Sequence, residues 1–310
     1  MTTYQIEPTR ATLHGVFSAD LPPVLTIAPG DSVVYRTLDA GWHVEGPAAD
    51  GTPGRRFALY DPARDRGHAL CGPVAIQGAA PGMALAVHIE ELRPGRYGWT
   101  WAGGAPSWAG ERLGITRETQ LRWILDPDAG TGRDQFGHVL TLRPFMGVMG
   151  LAPAEPDLHA TAPPRATGGN IDCKELGVGS TLYLPIAVPG ALFSVGDGHA
   201  RQGDGEVGKT ALECPMERVR LRFTLEASAR FARPWARTPS DWITFGFAAD
   251  LNEATLQALD HMLTLLESEY AVARPEALAL ASLLVDLRVT QVANGVHGVH
   301  ALLPLDALQR

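Results

Sequence analysis

Between residues 168 and 207, five side chains able to bind a hard or borderline metal stand among glycines: Asp172, Asp197, His199, Asp204 and Glu206. Carboxylate oxygens with a single imidazole suit zinc in a hydrolytic centre, or calcium where the carboxylates dominate. Glycine permits φ > 0 and close backbone approach, so acid–glycine alternation predicts shaped loops rather than a solvated helix face. On an extended stretch residues two apart face the same way, which would aim Asp197 with His199 and Asp204 with Glu206. Ala200-Arg201-Gln202-Gly203 is long enough to turn the chain and bring the two pairs together, while Asp172 arrives from a separate strand or loop. Taken singly, each acid reads first as a turn cap facing water. Taken as a group, they point to a metal or acid–base site.

Neighbouring residues extend or narrow that chemistry. Asn170 carries an amide that can both donate and accept, and so could hold a substrate or polarise a carbonyl oxygen; its alternative is a turn residue after two glycines. Lys174 and Glu175 suggest a lysine-based hydrolytic mechanism, but the serine–serine–lysine spacing it needs is absent. Cys173 follows Asp172 directly, so on an extended segment it faces the opposite side and is discounted as a nucleophile. Gly196-Asp197-Gly198 to Gly203-Asp204-Gly205 is no nucleotide loop, because it lacks Gly-Lys-Ser/Thr and its acids repel phosphate. Trp99, Trp101 and Trp108 either rim a pocket or fill the core.

The elements that must position these groups read as strands over most of the chain. Apolar or β-branched runs at 24–27, 32–36, 85–89, 120–125, 139–142, 181–184 and 219–225 are separated by Pro-Gly pairs at 29–30, 81–82, 94–95 and 189–190. Many short strands between turns predict a sandwich or barrel. Near residue 250 the pattern changes. Leu256, Leu259, Leu263, Leu266 and Tyr270 step by three and four behind an Asp250 cap, Pro275 opens a second helix, and 287–292 alternates like a strand. The expected fold is therefore mainly β, a sandwich- or barrel-like body with a helix–helix–strand α+β tail over 250–310. One unit of 1–310 is expected, with a possible sub-boundary in the proline-rich stretch 155–167.

Composition excludes several classes. A net charge of -8 with no basic block argues against nucleic acid, and 19% charged with 45% hydrophobic residues is globular. No apolar run is long enough to span a bilayer and the N-terminus lacks a signal-peptide pattern, so no membrane partner and a cytoplasmic location are expected. Three cysteines without Cys-x-x-Cys spacing suggest buried thiols. Edge-rich β proteins with an apolar tail helix commonly form symmetric oligomers, and a homo-oligomer is expected.

Longer blocks carry a family resemblance. Gly168-Gly169-Asn170-Ile171-Asp172, Gly179-Ser180-Thr181-Leu182-Tyr183-Leu184-Pro185, Pro189 to Ala200 and Gln202 to Val207 resemble the acetamidase/formamidase family. So do Pro29-Gly30-Asp31-Ser32-Val33, Thr37-Leu38-Asp39-Ala40, Pro144 to Pro153 and Asp286 to Gln291, in family order. His68, ahead of Gly72-Pro73, resembles a family block and is a candidate second imidazole ligand or proton shuttle; a hydrogen-bonded loop histidine is the alternative. The resemblance implies a metal-dependent hydrolase of small linear carboxamides of the formamide or acetamide type, releasing ammonia and a carboxylate. The expected ligands are Asp172, Asp197, His199 and His68, with Glu206 as base, Asp204 as ligand or its support, and Asn170 at the substrate; Asp204 and Glu206 are interchangeable in this reading. Zinc is the expected divalent metal, with calcium possible. The rivals are a hydrolase of a larger amide or cyclic imide, and a non-catalytic β protein stabilised by calcium.

Overall fold

The protein is described from a computed structural model, which covers residues 1–48, 52–104, 110 and 112–308. Among these residues, one sheet of nine strands runs in spatial order Thr3–Ile6, Ser32–Tyr35, Met216–Glu226, Ala84–Pro94, Thr181–Pro185, Trp235–Arg237, Asp241–Ala248, His297–Pro304 and Asp286–Gln291. The 216–226 strand shows why the sequence pairs this way. Val219, Leu221 and Phe223 are buried, while Arg218, Arg220 and Arg222 alternate outward to meet Glu90 and Glu91 at 2.6–3.0 Å. The second sheet, of eleven strands, contains the neighbours Leu212–Cys214, Phe193–Arg201, Phe145–Leu151 and Gly168–Asn170 in that order. The inner faces meet in one apolar core, where Phe193 packs edge-on against Phe223 at 5.0 Å. The sandwich expectation therefore describes the body.

The tail adds an element to its expectation. Helices α1 (Leu251–Tyr270) and α2 (Arg274–Leu284) form where the periodicity and Pro275 placed them, and Asp250 caps α1 by accepting from the Glu253 N–H at 2.9 Å. The Asp286–Gln291 strand is then followed by a second strand, His297–Pro304, which inserts between it and Asp241–Ala248. This strand is almost wholly buried, so it lacks the alternation that marks a half-exposed one. The buried face of α1 keeps Leu263 and Leu266 of the expected stripe, with Leu259 and Tyr270 packed beside them, and widens to Ala254, Ala258, Met262 and Leu265, while Leu256 is exposed. Gly246 explains the two alanines: a Cβ there would collide with the Ala254 carbonyl and stand 2.7 Å from Ala258 N, so small residues meet at this crossing.

Candidate active site

The acid–glycine segment is a central strand for most of its length. Residues Phe193–Arg201 lie between Phe145–Leu151 and Leu212–Cys214, with His199 paired to Phe145 on one side and to Glu213 on the other. Asp197 and His199 are both buried on this strand, although Asp197 takes a left-handed φ of 58°. Asp172, just past Gly168–Asn170, has φ 55°, and Glu206, in the loop after the central strand, has φ 44°. Three of the site's acids thus sit in a backbone region that non-glycine residues rarely adopt, a strain characteristic of functional positions.

These side chains close on the two sides of one imidazole. His199 Nε2 faces Asp197 Oδ1 at 3.4 Å and Glu213 Oε2 at 3.3 Å, while Nδ1 faces Asp172 Oδ1 at 3.9 Å. Asp172, His199 and Glu206 form one group with potential ligand atoms within 4.8 Å of one another, and Asp197, His199 and Glu213 form a second. All five are buried. Yet Asp172 Oδ1, His199 Nδ1, Glu206 Oε2 and Glu213 Oε2 lack any hydrogen-bond partner, a costly state that a cation would relieve. Asn294 Nδ2 donates to the other Asp172 oxygen at 2.6 Å, and Gln202 Nε2 donates to the Asp172 carbonyl at 2.8 Å. Gly147 keeps the centre open. A Cβ there would stand 2.5 Å from Asp197 Oδ2, 2.7 Å from Asp172 Oδ1 and 2.8 Å from the His199 ring.

Burial and the neighbouring charges both act on these groups. Burial pushes Asp172 and Glu213 each up to about 7 and drives Glu206 well above the usual carboxylate range, with Asp172 adding to the shift of Glu206. Burial also opposes charge on His199, but Glu213 and Asp197 outweigh it and hold the imidazole well above its ordinary value. Asp197 is held far below the usual range, its burial overcome by His199 and His68. Without a metal the cluster therefore retains protons near neutrality, which a divalent cation would displace.

A cavity of about 370 Å³ opens onto this floor and is lined by His68, Trp99, Asn170, Asp197, Glu206 and Glu213 among others. Asn170 donates through Nδ2 to the Ala162 carbonyl at 3.1 Å, leaving its buried Oδ1 without a partner. His68 is held by Thr161, whose Oγ1 lies 2.7 Å from Nδ1. Trp99 donates to Asp39 at 2.8 Å and forms part of the wall; Trp101 lies outside this lining, and Trp108 lies outside the described residues.

Asp172, Asp197, His199 and Glu206 thus converge, with Asn170 and His68 at the cavity. Asp204 does not join them; it turns outward to Lys174, 2.6 Å away. The expected same-side pairing of Asp204 with Glu206 fails because the segment is a tight loop, with left-handed Gly205 and Glu206 reversing direction between them. Glu213 is the residue that sequence reasoning missed. Its only signal is an acid alone between Leu212 and Cys214, a place where an ionisable group is costly to bury.

Comparison with known proteins gives a consistent picture. The family model described as "Acetamidase/Formamidase family" matches residues 2–160 and 156–309. A formamidase of Methylophilus methylotrophus is 51% identical over 257 residues, covering 63% of this chain and 59% of the relative. An acetamidase of Mycolicibacterium smegmatis is 26% identical over 257 residues, covering 63% and 61% respectively. The matches thus span about three fifths of these curated relatives' own length. A crystal structure of an acetamidase from Bacillus halodurans superposes with a TM-score of 0.85 at 27% identity, covering 97% of each chain.

Proposed function

Because this chain belongs to the acetamidase/formamidase family, we propose that it hydrolyses the carbon–nitrogen bond of small linear carboxamides to a carboxylate and ammonia. The observation that carries the reading is the convergence of three unpartnered buried atoms, Asp172 Oδ1, His199 Nδ1 and Glu206 Oε2, beneath an open cavity. That donor set, with the space Gly147 leaves beside it, fits a divalent metal, with zinc preferred for its imidazole and carboxylate ligands. Bound there, zinc supplies a Lewis acid for the carbonyl and lowers the pKa of water to about 7. Asp172, His199 and Glu206 would hold it.

The chain's own groups account for the rest. Asp197 and Glu213 face His199 Nε2, so they fix the ring's orientation and leave Nδ1 free as a ligand. This moves Asp197 from ligand to support, and Glu206 from base to ligand. Glu213 also lines the cavity, where it can take a proton from the attacking water and deliver it to the departing amine. Asn170 has its donor engaged and its Oδ1 free, so it accepts from the substrate's NH₂ group and orients the amide. His68 borders the same space as a further proton carrier.

The test is ammonia release from formamide and acetamide, with metal content measured, before and after chelation and metal add-back. Activity that follows stoichiometric zinc supports the reading; full turnover in metal-free protein sinks it. Glu213→Gln should keep the metal and lose about 10²–10⁴-fold in kcat, the range for general acid–base catalysis. A second reading, a larger amide, is favoured by the cavity's volume of about 370 Å³, several times what acetamide fills. Higher kcat/KM for longer or aryl amides in the same assay would select it.

A further inference from the structure

On the far side of the segment that carries Asp172 lies a second ligand-competent cluster. Cys173 Sγ is 3.4 Å from Glu175 Oε2, and His300 Nε2 is 3.5 Å from that same oxygen. The three side chains offer atoms within 4.8 Å of one another. His300 is fully buried, and its Nε2 has no hydrogen-bond partner. Its other nitrogen is engaged, with Thr290 Oγ1 2.7 Å from Nδ1, which fixes the ring so that Nε2 points into the cluster. The second Glu175 oxygen is engaged as well, accepting from Arg288 Nη1 at 3.4 Å with Lys174 4.0 Å away, so Oε2 is the oxygen turned to Cys173 and His300. A thiol, an imidazole and a carboxylate thus turn one atom each to a common point: the thiol donates to Glu175 Oε2, His300 Nε2 is left unpartnered, and neighbouring groups hold the remaining atoms.

We infer that Cys173, Glu175 and His300 form a second site for a divalent, borderline-soft cation, zinc by the chemistry of its thiolate and imidazole ligands. Three protein ligands leave a fourth position for water, and Glu175 borders a separate cavity of about 450 Å³ that gives the ion a route in. Lys174 and Arg288 neutralise Asp204 and the outer edge of Glu175, and their charge does not occupy the ligand atoms. The site joins the backbone next to Asp172 to the buried strand His297–Pro304. Its role is to brace the peptide from which a proposed ligand of the first centre projects.

Cobalt(II) substitution tests this in the full chain, because a thiolate ligand gives cobalt an intense near-ultraviolet charge-transfer band that carboxylate and imidazole ligands do not. Metal-depleted protein reloaded with cobalt should bind two ions per chain and show the band. Cys173→Ala and His300→Gln should each lower the count by one; Cys173→Ala should abolish the band, and Cys214→Ala should leave it. His199→Asn should also lower the count by one but retain the band, so failure of the first centre is distinguishable from failure of this one. Cobalt binding without the band in the wild type, or a band that survives Cys173→Ala, overturns the proposal. Should Cys173→Ala fail to fold, the wild-type spectrum and the His300→Gln count decide alone.

Discussion

One strand, Phe193–Arg201, carries two buried histidine environments at its two ends, and they differ in what is left unmet. Near its start, Ser194 Oγ lies 2.9 Å from Nε2 of His14, whose Nδ1 is 2.7 Å from the Val16 carbonyl. Near its end, His199 is equally buried but is surrounded by four carboxylates, and its Nδ1 has no partner. Burial pushes His14 down to about 4, whereas Glu213 and Asp197 push His199 up despite its burial. A buried histidine therefore marks a site only where its polar atoms stay unsatisfied; His14 has spent both nitrogens on structure.

The largest expected effect breaks the comparison at its His199 end. His199→Asn should abolish amide turnover and lower metal content while the far-ultraviolet spectrum remains native; a variant retaining full activity would make the two histidines equivalent. Gly147→Ala should come next. Its added methyl has ordinary backbone geometry but would occupy the space between Asp172, Asp197 and His199, so metal affinity and turnover should fall together with a smaller change in Tm. Activity unchanged in this variant would mean that the gap is not the ion's seat.

The smallest effect tests the structural end and is read as stability against pH. The folded pKa of His14 lies below its unfolded value, so neutral His14 stabilises the fold above about pH 6.5, and this contribution is lost as pH falls toward 4. The shift corresponds to about 3 kcal/mol. Arg64 and Arg10 deepen the shift, while Asp65 and the Val16 carbonyl oppose it. Urea unfolding at pH 7, 5.5 and 4 should show this loss in the wild type and a flatter profile in His14→Gln. Parallel profiles would mean that His14 does not titrate between the two states.

How much of this was legible in the sequence follows from exposure. The 216–226 strand was readable because arginines alternate with core residues, and α1 because its cap and periodicity are local. The His297–Pro304 strand was not, since burial on both faces erases the alternation that distinguishes strands. Among the site groups, Asp172, Asp197, His199 and Glu206 stood out through the glycines near them, and three of the four, Asp172, Asp197 and Glu206, take a left-handed φ. Glu213 has ordinary strand surroundings and reaches the centre only by pairing across to His199, a contact set by sheet register. Asp204 was overread for the opposite reason: proximity to glycine marks a shaped backbone without saying which way a side chain leaves it.

The hairpin Asp286–Gln291 and His297–Pro304 has a consequence for the order of assembly. Its residues hold the Glu206 loop by backbone bonds, Gly205 N–H to the Thr290 carbonyl at 3.1 Å and Val292 N–H to the Gly205 carbonyl at 2.9 Å, and Asn294 in its turn grips Asp172. During synthesis all five acidic and imidazole groups emerge long before this clasp does. A nascent chain can thus lay down the sheet that carries the centre, but the loop bearing Glu206 lacks these backbone partners until residues 290–292 have been made. The hairpin acts as the last-made clasp on the Glu206 loop and on Asp172, both of which precede it in the chain.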